Sequence, residues 1–497
     1  MPGTNAMLRR QSILAGLAVL ALGGCAVGPN FHTPAAPSVS GYTPGPPPLQ
    51  TAAASVAGGA SQNFLQDGDV PGKWWELYQS PALNALVERS LKANPDMAAA
   101  QAALRAAREA YYVQRAALMP TVDGSYNLQR QKANGTLAPP LNSNNDLFTL
   151  STAQLNIAYT PDVFGGLKRQ VESARAQADA QRFQTEATYL TLTTNVVNAA
   201  IQAATLRDQI AATRAVIRSD SDILELMRRE FAMGEIGRGD VAGQEAVLAQ
   251  AQQTLPPLVK QLALADDLIA DLTGRFPSQA QAEDLSLAGL TLPVDLPLSL
   301  PSKLVQQRPD IKAAEANLHA ASAQVGVAIA NRLPNVTLAA NGGGEATNIG
   351  QMFTNQNVFW AVSGTVTQTI FDAGALKHRQ RAAEATLNQA KAQYRSTVLS
   401  AFQNVADALQ VLESDAVTLQ AAANAERSAA VSLSIARRQL DLGQVSSIVA
   451  LNAEQTFQQA VVTRVQAQGA RYADTAALFQ ALGGGWWNRL ETQTDRK

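Results

Sequence analysis

Residues 151–190 read STAQLNIAYTPDVFGGLKRQVESARAQADAQRFQTEATYL, and they join two different sequence patterns. In residues 151–159, apolar side chains alternate with small or polar ones, which is typical of a strand with one apolar face. From about Gly166 to Ala232 the chain has no proline and no interior glycine. Because a helix rises about 1.5 Å per residue, this run of about 67 residues predicts a helix of roughly 100 Å.

The same pattern occurs twice in the chain. Residues 94–122 align without a gap with 308–336 at an offset of 214, and beyond the strand loops the alignment continues at an offset of 209. The repeat is far longer than the units of about 20–50 residues that build solenoids, and it occurs only twice. We therefore expect one domain with internal pseudo-symmetry, whose repeats are 61–285 and 286–497.

Each repeat carries two alternating segments joined by a polar loop, predicted as β-hairpins at about 121–159 and 335–370. A period of two over about ten residues, with one apolar face, fits a transmembrane β-barrel strand. Half-exposed soluble hairpins have the same periodicity. Four strands cannot close a barrel alone, and lipid does not tolerate open strand edges. If these are membrane strands, two, three or four chains must share one barrel, which the long helices continue as a tube.

Each long helix is predicted to end at a glycine-containing turn and to be followed by a return helix, giving helix hairpins at about 166–273 and 375–481. Glycine supplies the left-handed conformation that ends a helix. Asp240 or Ser446 can then cap the return helix.

The amino terminus is predicted to be an export signal. A short basic region precedes ILAGLAVLAL, an apolar stretch too short to span a bilayer. It ends in Leu-Gly-Gly-Cys, which resembles a bacterial lipobox. We expect a lipoprotein signal peptide over 1–24 and a lipid anchor at Cys25, and Ala26 in place of Asp favours the outer membrane. Residues 25–60, rich in Pro, Ala and Gly, are predicted to be an extended lipidated tether.

Composition argues against several classes of protein. The chain has 39 Lys and Arg against 40 Asp and Glu, so charge gives no case for nucleic acid as a partner. One cysteine and three dispersed histidines argue against a disulfide framework and a metal centre. No apolar run reaches the length of a transmembrane helix. No catalytic arrangement stands out, and the glycine runs at 342–344 and 483–485 lack the spacing of a phosphate loop. We expect no cofactor and no enzyme activity.

Several short motifs accompany the repeat and the paired turns: Cys25-Ala26-Val27-Gly28-Pro29-Asn30-Phe31, Trp74-Trp75 with Pro81 and Leu83, Asn94-Pro95-Asp96, Arg308-Pro309-Asp310 and Phe371-Asp372-Ala373-Gly374. Together they resemble the TolC-like outer membrane efflux proteins, in the lipoprotein branch that serves resistance-nodulation-division (RND) pumps. The resemblance covers essentially the whole mature chain.

The resemblance implies a trimer with a 12-stranded transmembrane β-barrel, four strands per chain, continued by a long periplasmic α-helical barrel. It implies the exit duct of a tripartite efflux system, which passively conducts small molecules such as drugs. The implied partners are two further copies of the chain, a periplasmic membrane-fusion adaptor, an inner-membrane RND pump and outer-membrane lipid. Two alternatives are the conduit of a type I protein secretion system and a non-channel periplasmic coiled-coil lipoprotein scaffold. A periplasmic enzyme is a weaker third.

The resemblance also implies that the helix turns form the periplasmic tip, which docks the adaptor and gates the channel. The predicted tip residues are Gly234, Glu235, Ile236, Gly237, Asp240, Gly443, Gln444, Val445 and Ser446. The gate candidates are Asp240, Arg437, Arg438, Leu440, Val449 and Asn452.

In family members the residue aligned with Asp240 can bond Tyr or Arg on the neighbouring hairpin, where this chain has Leu440 and Val445. Inward Asp residues of relatives align with Val449 and Asn452. We therefore hypothesise a mostly apolar closure around Leu440, helped by Arg437 or Arg438 reaching Asp240. The alternative is that Asp240 is only a helix cap and the arginines are solvated.

Overall fold

A computed structural model describes residues 26–45, 49–132, 147–280 and 285–489. The predicted signal peptide and Cys25 lie outside the described residues, as does most of the first hairpin loop. In the part of the chain that the structure describes, none of the helices combines the length and apolar character needed to cross a membrane.

The two repeats have matching elements. The first contains β1 (Asn63–Gln66), α1 (Pro81–Ala93), α2 (Pro95–Ala116), β2 (Thr121–Lys132), β3 (Leu147–Tyr159), α3 (Gly166–Ala232) and α4 (Arg238–Leu272). The second contains β4 (Asp295–Leu298), α5 (Pro301–Gln307), α6 (Pro309–Ala330), β5 (Asn335–Ala346), β6 (Val358–Thr367), α7 (Ala375–Asp441) and α8 (Ser447–Ala481). Three helix pairs, α2 and α6, α3 and α7, and α4 and α8, have equal lengths of 22, 67 and 35 residues, whereas α1 has 13 residues and α5 has 7. Short 3-10 helices occur between these elements.

The chain divides into two compact units. Among the described residues, the strand unit comprises 26–34, 104–132, 147–181 and 314–394, and the helix unit comprises 35–45, 49–103, 182–280, 285–313 and 395–489.

The strand unit contains an antiparallel sheet in the order β2-β3-β5-β6. Its register places apolar side chains of all four strands on one face, for example Val122 opposite Ile157 and Ala340 opposite Val362. Most of the large side chains on this face are exposed, including Trp360 at 79%. The other face is polar, and there Asn156 donates a hydrogen bond to Ser125 at 3.1 Å. The predicted alternation is therefore present, with its apolar face uncovered in one chain.

The core of the helix unit is built around aromatic side chains. Trp74 and Trp75 are 1% exposed and Trp486 is 5% exposed. Tyr78 is buried and donates a hydrogen bond to the backbone carbonyl of Tyr472 at 2.8 Å. These tryptophans are therefore packing residues.

The amino-terminal segment has neither helix nor strand over 26–45 and 49–60. It nevertheless lies against folded elements. The backbone N–H of Val27 donates to the carbonyl of Phe164 at 3.1 Å in the strand unit. In the helix unit, the hydroxyl of Tyr42 donates to the carbonyl of Ser299 at 2.7 Å.

Candidate functional site

The first predicted tip segment is the turn between α3 and α4. Gly234 has φ of +81° and closes α3 by donating its N–H to the carbonyl of Phe231 at 2.9 Å. Gly237 then precedes α4, and its N–H donates to the carboxylate of Asp240 at 3.0 Å. Asp240 therefore stabilises the start of α4, as a carboxylate in the first turn does by satisfying an orphan N–H. Glu235 lies exposed in the same turn.

The second predicted tip segment is the turn between α7 and α8. Gly443 has φ of +67°, and its N–H donates to the carbonyl of Leu440 at 2.9 Å. Ser446 occupies the N-cap of α8, but its hydroxyl accepts no capping hydrogen bond. The backbone carbonyl of Ser446 instead accepts from the N–H of Val449 at 3.1 Å. The side-chain cap present in the first turn is thus missing in the second, where Val449 occupies the position equivalent to Asp240.

An apolar cluster lies next to these turns. Ile223, Leu224 and Met227 of α3 are buried together with Val241 of α4. Half-buried apolar residues pack against them, namely Ile236, Leu248, Ile448 and Leu451. The cluster contains residues of α3, α4 and α8 and of the first turn, to which Ile236 belongs. These contacts therefore attach the turn to the helices. Burial of apolar surface is the main stabilising contribution here.

Two ion pairs occupy equivalent positions in the two helix hairpins. Arg228 contacts Glu245 at 2.7 Å, and Arg437 contacts Glu454 at 2.5 Å. The sequence repeat aligns Glu245 with Glu454. The pairing of each glutamate with an arginine 17 residues earlier also depends on the register between the two adjacent helices. Exposed pairs of this kind contribute less than about 1 kcal/mol.

The predicted contact between Arg437 and Asp240 is absent within the chain. Arg437 contacts Glu454 on its own hairpin, while Asp240 accepts the hydrogen bond that caps α4. Arg438 lies exposed. Arg437 and Asp240 thus each have a partner on their own helix hairpin, and the latch stays a hypothesis.

The remaining gate candidates lie around the second turn. Leu440 is half-buried and Val449 is 45% exposed. Val449 and Asn452 line a groove of about 340 Å³ between α7 and α8, together with Ile435 and Gln439. The structure therefore brings Val449 and Asn452 together, with mostly apolar and amide side chains beside them.

One acidic residue near the cluster was not found by sequence reasoning. Asp220 on α3 is fully buried, and neither carboxylate oxygen has a hydrogen-bond partner among the described residues. Burial raises the pKa of Asp220, and the nearby side chain of Gln244 donates instead to the backbone carbonyl of Asp220 at 3.3 Å. Asp220 therefore binds a proton more readily than a solvated aspartate does. Its sequence context, Arg-Ser-Asp-Ser-Asp, looks like a solvated helix face.

Comparison with known proteins identifies the family. The family model described as outer membrane efflux protein matches residues 86–275 and 300–484. The chain belongs to the outer membrane efflux protein family. As a member of it, the chain is an outer-membrane efflux channel, and the family is one of transport conduits. The resemblance to TolC-like proteins is thereby confirmed.

Individual relatives of this efflux channel agree with the assignment. The toluene efflux pump outer membrane protein TtgC of Pseudomonas putida is 28% identical over 96% of both chains. The pyoverdine export outer membrane protein OpmQ of Pseudomonas putida is 29% identical over 89% of this chain and 94% of that protein. The solved channel OprN is 27% identical, with a TM-score of 0.80 over 93% of this chain and 100% of that chain. The CmeC channel of Campylobacter jejuni, at 21% identity, has a TM-score of 0.82 over 95% and 98% of the two chains and supports the fold.

Proposed function

We propose that this efflux channel is the exit duct of a tripartite system, which passively conducts small molecules such as drugs from an RND pump and a periplasmic adaptor to the exterior. The observation that carries the proposal is the direct connection of each strand hairpin to a helix of 67 residues. Strands that cross lipid and helices that continue below it are the two parts that a conduit requires. Relatives named for toluene and pyoverdine export show that the substrate differs between members.

The open edges of the sheet support a barrel shared between copies, and among the possible copy numbers we propose the trimer with 12 strands that the family resemblance implies. Within the described strands, β2 and β6 each pair on one side only. A strand edge in lipid must be paired, because water is not present to satisfy its backbone groups. Three chains of four strands give 12, an even number within the range of bacterial barrels.

Unequal burial of the equivalent helices α2 and α6 also supports oligomerisation. In the strand unit, Ser173 of α3 donates to the carbonyl of Ala320 at 3.2 Å and accepts from Gln324 at 2.9 Å, so α6 packs on α3. In α2, Met97 is the only buried residue. In the repeat, α2 is equivalent to α6, and α7 is equivalent to α3. We therefore propose that α7 of another copy packs on α2.

At the periplasmic end, the turns at 233–237 and 442–446 would dock the adaptor, with Asp240 supporting the first turn as a cap. The gate would be an apolar constriction around Leu440, with Val449 and Asn452 facing the same space. At the membrane end, a lipid on Cys25 would hold each chain in the outer membrane.

Planar-bilayer recordings test the duct and its gate. The purified channel should conduct and should run as an oligomer that heating dissociates. Leu440→Ala should raise single-channel conductance by removing apolar bulk from the constriction, whereas the exposed Val431→Ala on the same helix should not. Absence of conductance would favour the coiled-coil scaffold. Deletion of the gene should sensitise cells to toxic compounds, and loss of a secreted protein instead would favour type I secretion.

A further inference from the structure

The residues that directly follow Cys25 bind in a site of the strand unit formed by Arg169, His319 and Gly326, which we call the seat. We call residues 26–33 the strap. The guanidinium of Arg169 on α3, which is 4% exposed, donates to the carbonyl of Val27 at 3.2 Å and to the side chain of Asn30 at 2.7 Å. It also donates to the carbonyl of Gly28 at 3.4 Å. One buried side chain thus binds three residues of the strap.

Glycines let the strap backbone approach the helices closely. Gly28 has φ of +94°, and a Cβ there would lie 2.4 Å from Cα of Gly326 on α6. A Cβ on Gly326 would lie 2.9 Å from the carbonyl oxygen of Val27 and 2.9 Å from Cγ of Arg169. Because the opposing atoms at Gly28 are backbone, a side chain could be accommodated only by moving the strap.

An aromatic contact fixes the end of the strap. The ring of Phe31 stacks on His319 of α6 with centroids 4.3 Å apart and an interplanar angle of 11°. His319 contacts Glu172 at 2.8 Å, and Glu172 also accepts from Arg169 at 2.7 Å. Burial alone would raise the pKa of Glu172, but hydrogen bonds from Arg169 and His319 outweigh it and lower the pKa. The carboxylate therefore stays charged and links the two residues that bind the strap.

The equivalent positions in the other repeat lack these features. Gly326 corresponds to Tyr112, which is 53% exposed on α2, and Arg169 corresponds to the exposed His378 on α7. A tyrosine ring could not be placed where Gly326 meets the strap. The seat is therefore present at one of the two pseudo-equivalent helix junctions, between α3 and α6, and the strap of each chain binds there.

We infer that the strap and its seat are a positioning device, in which Arg169 and Gly326 hold Ala26, the first described residue, beside the turn from β3 into α3. The position of Ala26 itself is close, since a Cβ on Gly165 in that turn would lie 2.5 Å from Cα of Ala26. This role rests on the proposed lipid anchor at Cys25, whereas the seating of the strap does not. With the strap seated, the lipid and the strand hairpins enter the same membrane together.

Spin labelling of the full chain tests the seating. His32 is exposed in the strap, and a nitroxide on His32→Cys should be immobilised in the detergent-solubilised protein. Arg169→Gln and, separately, Phe31→Ala should abolish the immobile component. His378→Gln, the matched position in the other repeat, should leave it unchanged. A mobile label in the parent variant, or an immobile one in both strap variants, would overturn the seating.

Membrane assembly tests the positioning role. Arg169→Gln and Phe31→Ala should reduce the heat-dissociable oligomer recovered from outer membranes, and His378→Gln should not. Wild-type recovery in the two strap variants, with the label mobile, would overturn the role while leaving the seating intact. Labelling of Cys25 in the unaltered protein would instead count against the lipid anchor, because a lipidated thiol cannot react.

Discussion

At the scale of single residues, the glycine run at the end of α8 is specified by backbone geometry. Gly483, Gly484 and Gly485 have φ values of +94°, +67° and +68°. The sequence shows that this run lacks the spacing of a phosphate loop, but it cannot show why the residues are glycine. A Cβ on Gly485 would lie 2.4 Å from the carbonyl oxygens of both Val70 and Pro71, which are far away in the chain.

Gly485→Ala should therefore destabilise the helix unit more than Gly443→Ala does. Both glycines have almost the same φ, and left-handed backbone costs an alanine about 1–2 kcal/mol at either position. Only Gly485 adds a clash with backbone, since a Cβ on Gly443 meets nothing within 4 Å. Thermal unfolding of the solubilised protein should show the larger drop in midpoint for Gly485→Ala. Equal drops would mean that the turn relaxes freely.

A half-buried acid on α7 makes stability depend on pH. Burial, together with the neighbouring carboxyl of Asp474, raises the pKa of Asp415 from an ordinary value of 3.8 to about 7, against the opposing charge of Arg471. An acid with a raised pKa favours the folded state when protonated, so this contribution is lost as the pH rises from about 4 through 7.

Asp415→Asn should raise the unfolding midpoint at pH 8, and the gain should shrink toward pH 5 as the native carboxyl takes up its proton. Glu413→Gln, at an exposed carboxyl on the same helix, is the control and should show no such pH-dependent gain. Unfolding midpoints of both variants and the unaltered protein, measured from pH 5 to pH 8, test this expectation. A gain for Asp415→Asn that is the same at every pH would contradict the assigned titration.

At the scale of elements, local patterns were sufficient to predict the long helices, their return helices and the strand pairs, but not the short elements β1, β4, α1 and α5. Absence of proline and glycine predicted α3 over Gly166–Ala232, and alternation predicted the strand pairs. The α4 helix continues through Pro256 and Pro257, which local propensity disfavours, since each removes a backbone donor.

What local patterns could not predict is which faces are covered. The equivalent segments α2 and α6 are both rich in alanine, yet only α6 is largely buried. The strap shows the same limit, because its main partner, Arg169, is 142 residues from Val27. In the helix hairpins, the glycine pattern and the Asp240 cap located the turns, whereas the partner of Arg437 depends on helix register.

At the scale of the whole molecule, a contact between the two repeats within one chain predicts an equivalent contact between copies. Ser173 of α3 meets Ala320 of α6 inside the strand unit. At the repeat offsets of 209 and 214, the equivalent residues are Ala382 on α7 and Ala106 on α2. If copies assemble as proposed, α7 of one copy should cover the exposed α2 of the next as α3 and α6 cover each other.

Paired cysteines test this arrangement directly. Ala106→Cys combined with Ala382→Cys should form a disulfide between copies on mild oxidation, because the equivalent native contact is close, and non-reducing gels should show covalent oligomers. The control combines Ala106→Cys with Glu384→Cys, whose equivalent, Arg175, is exposed and points away from the α3–α6 contact. Each single-cysteine variant should remain monomeric on the gel. Equal cross-linking by both pairs would indicate random collision, and none by either would exclude the pairing of α2 with α7, whatever number of copies shares the barrel.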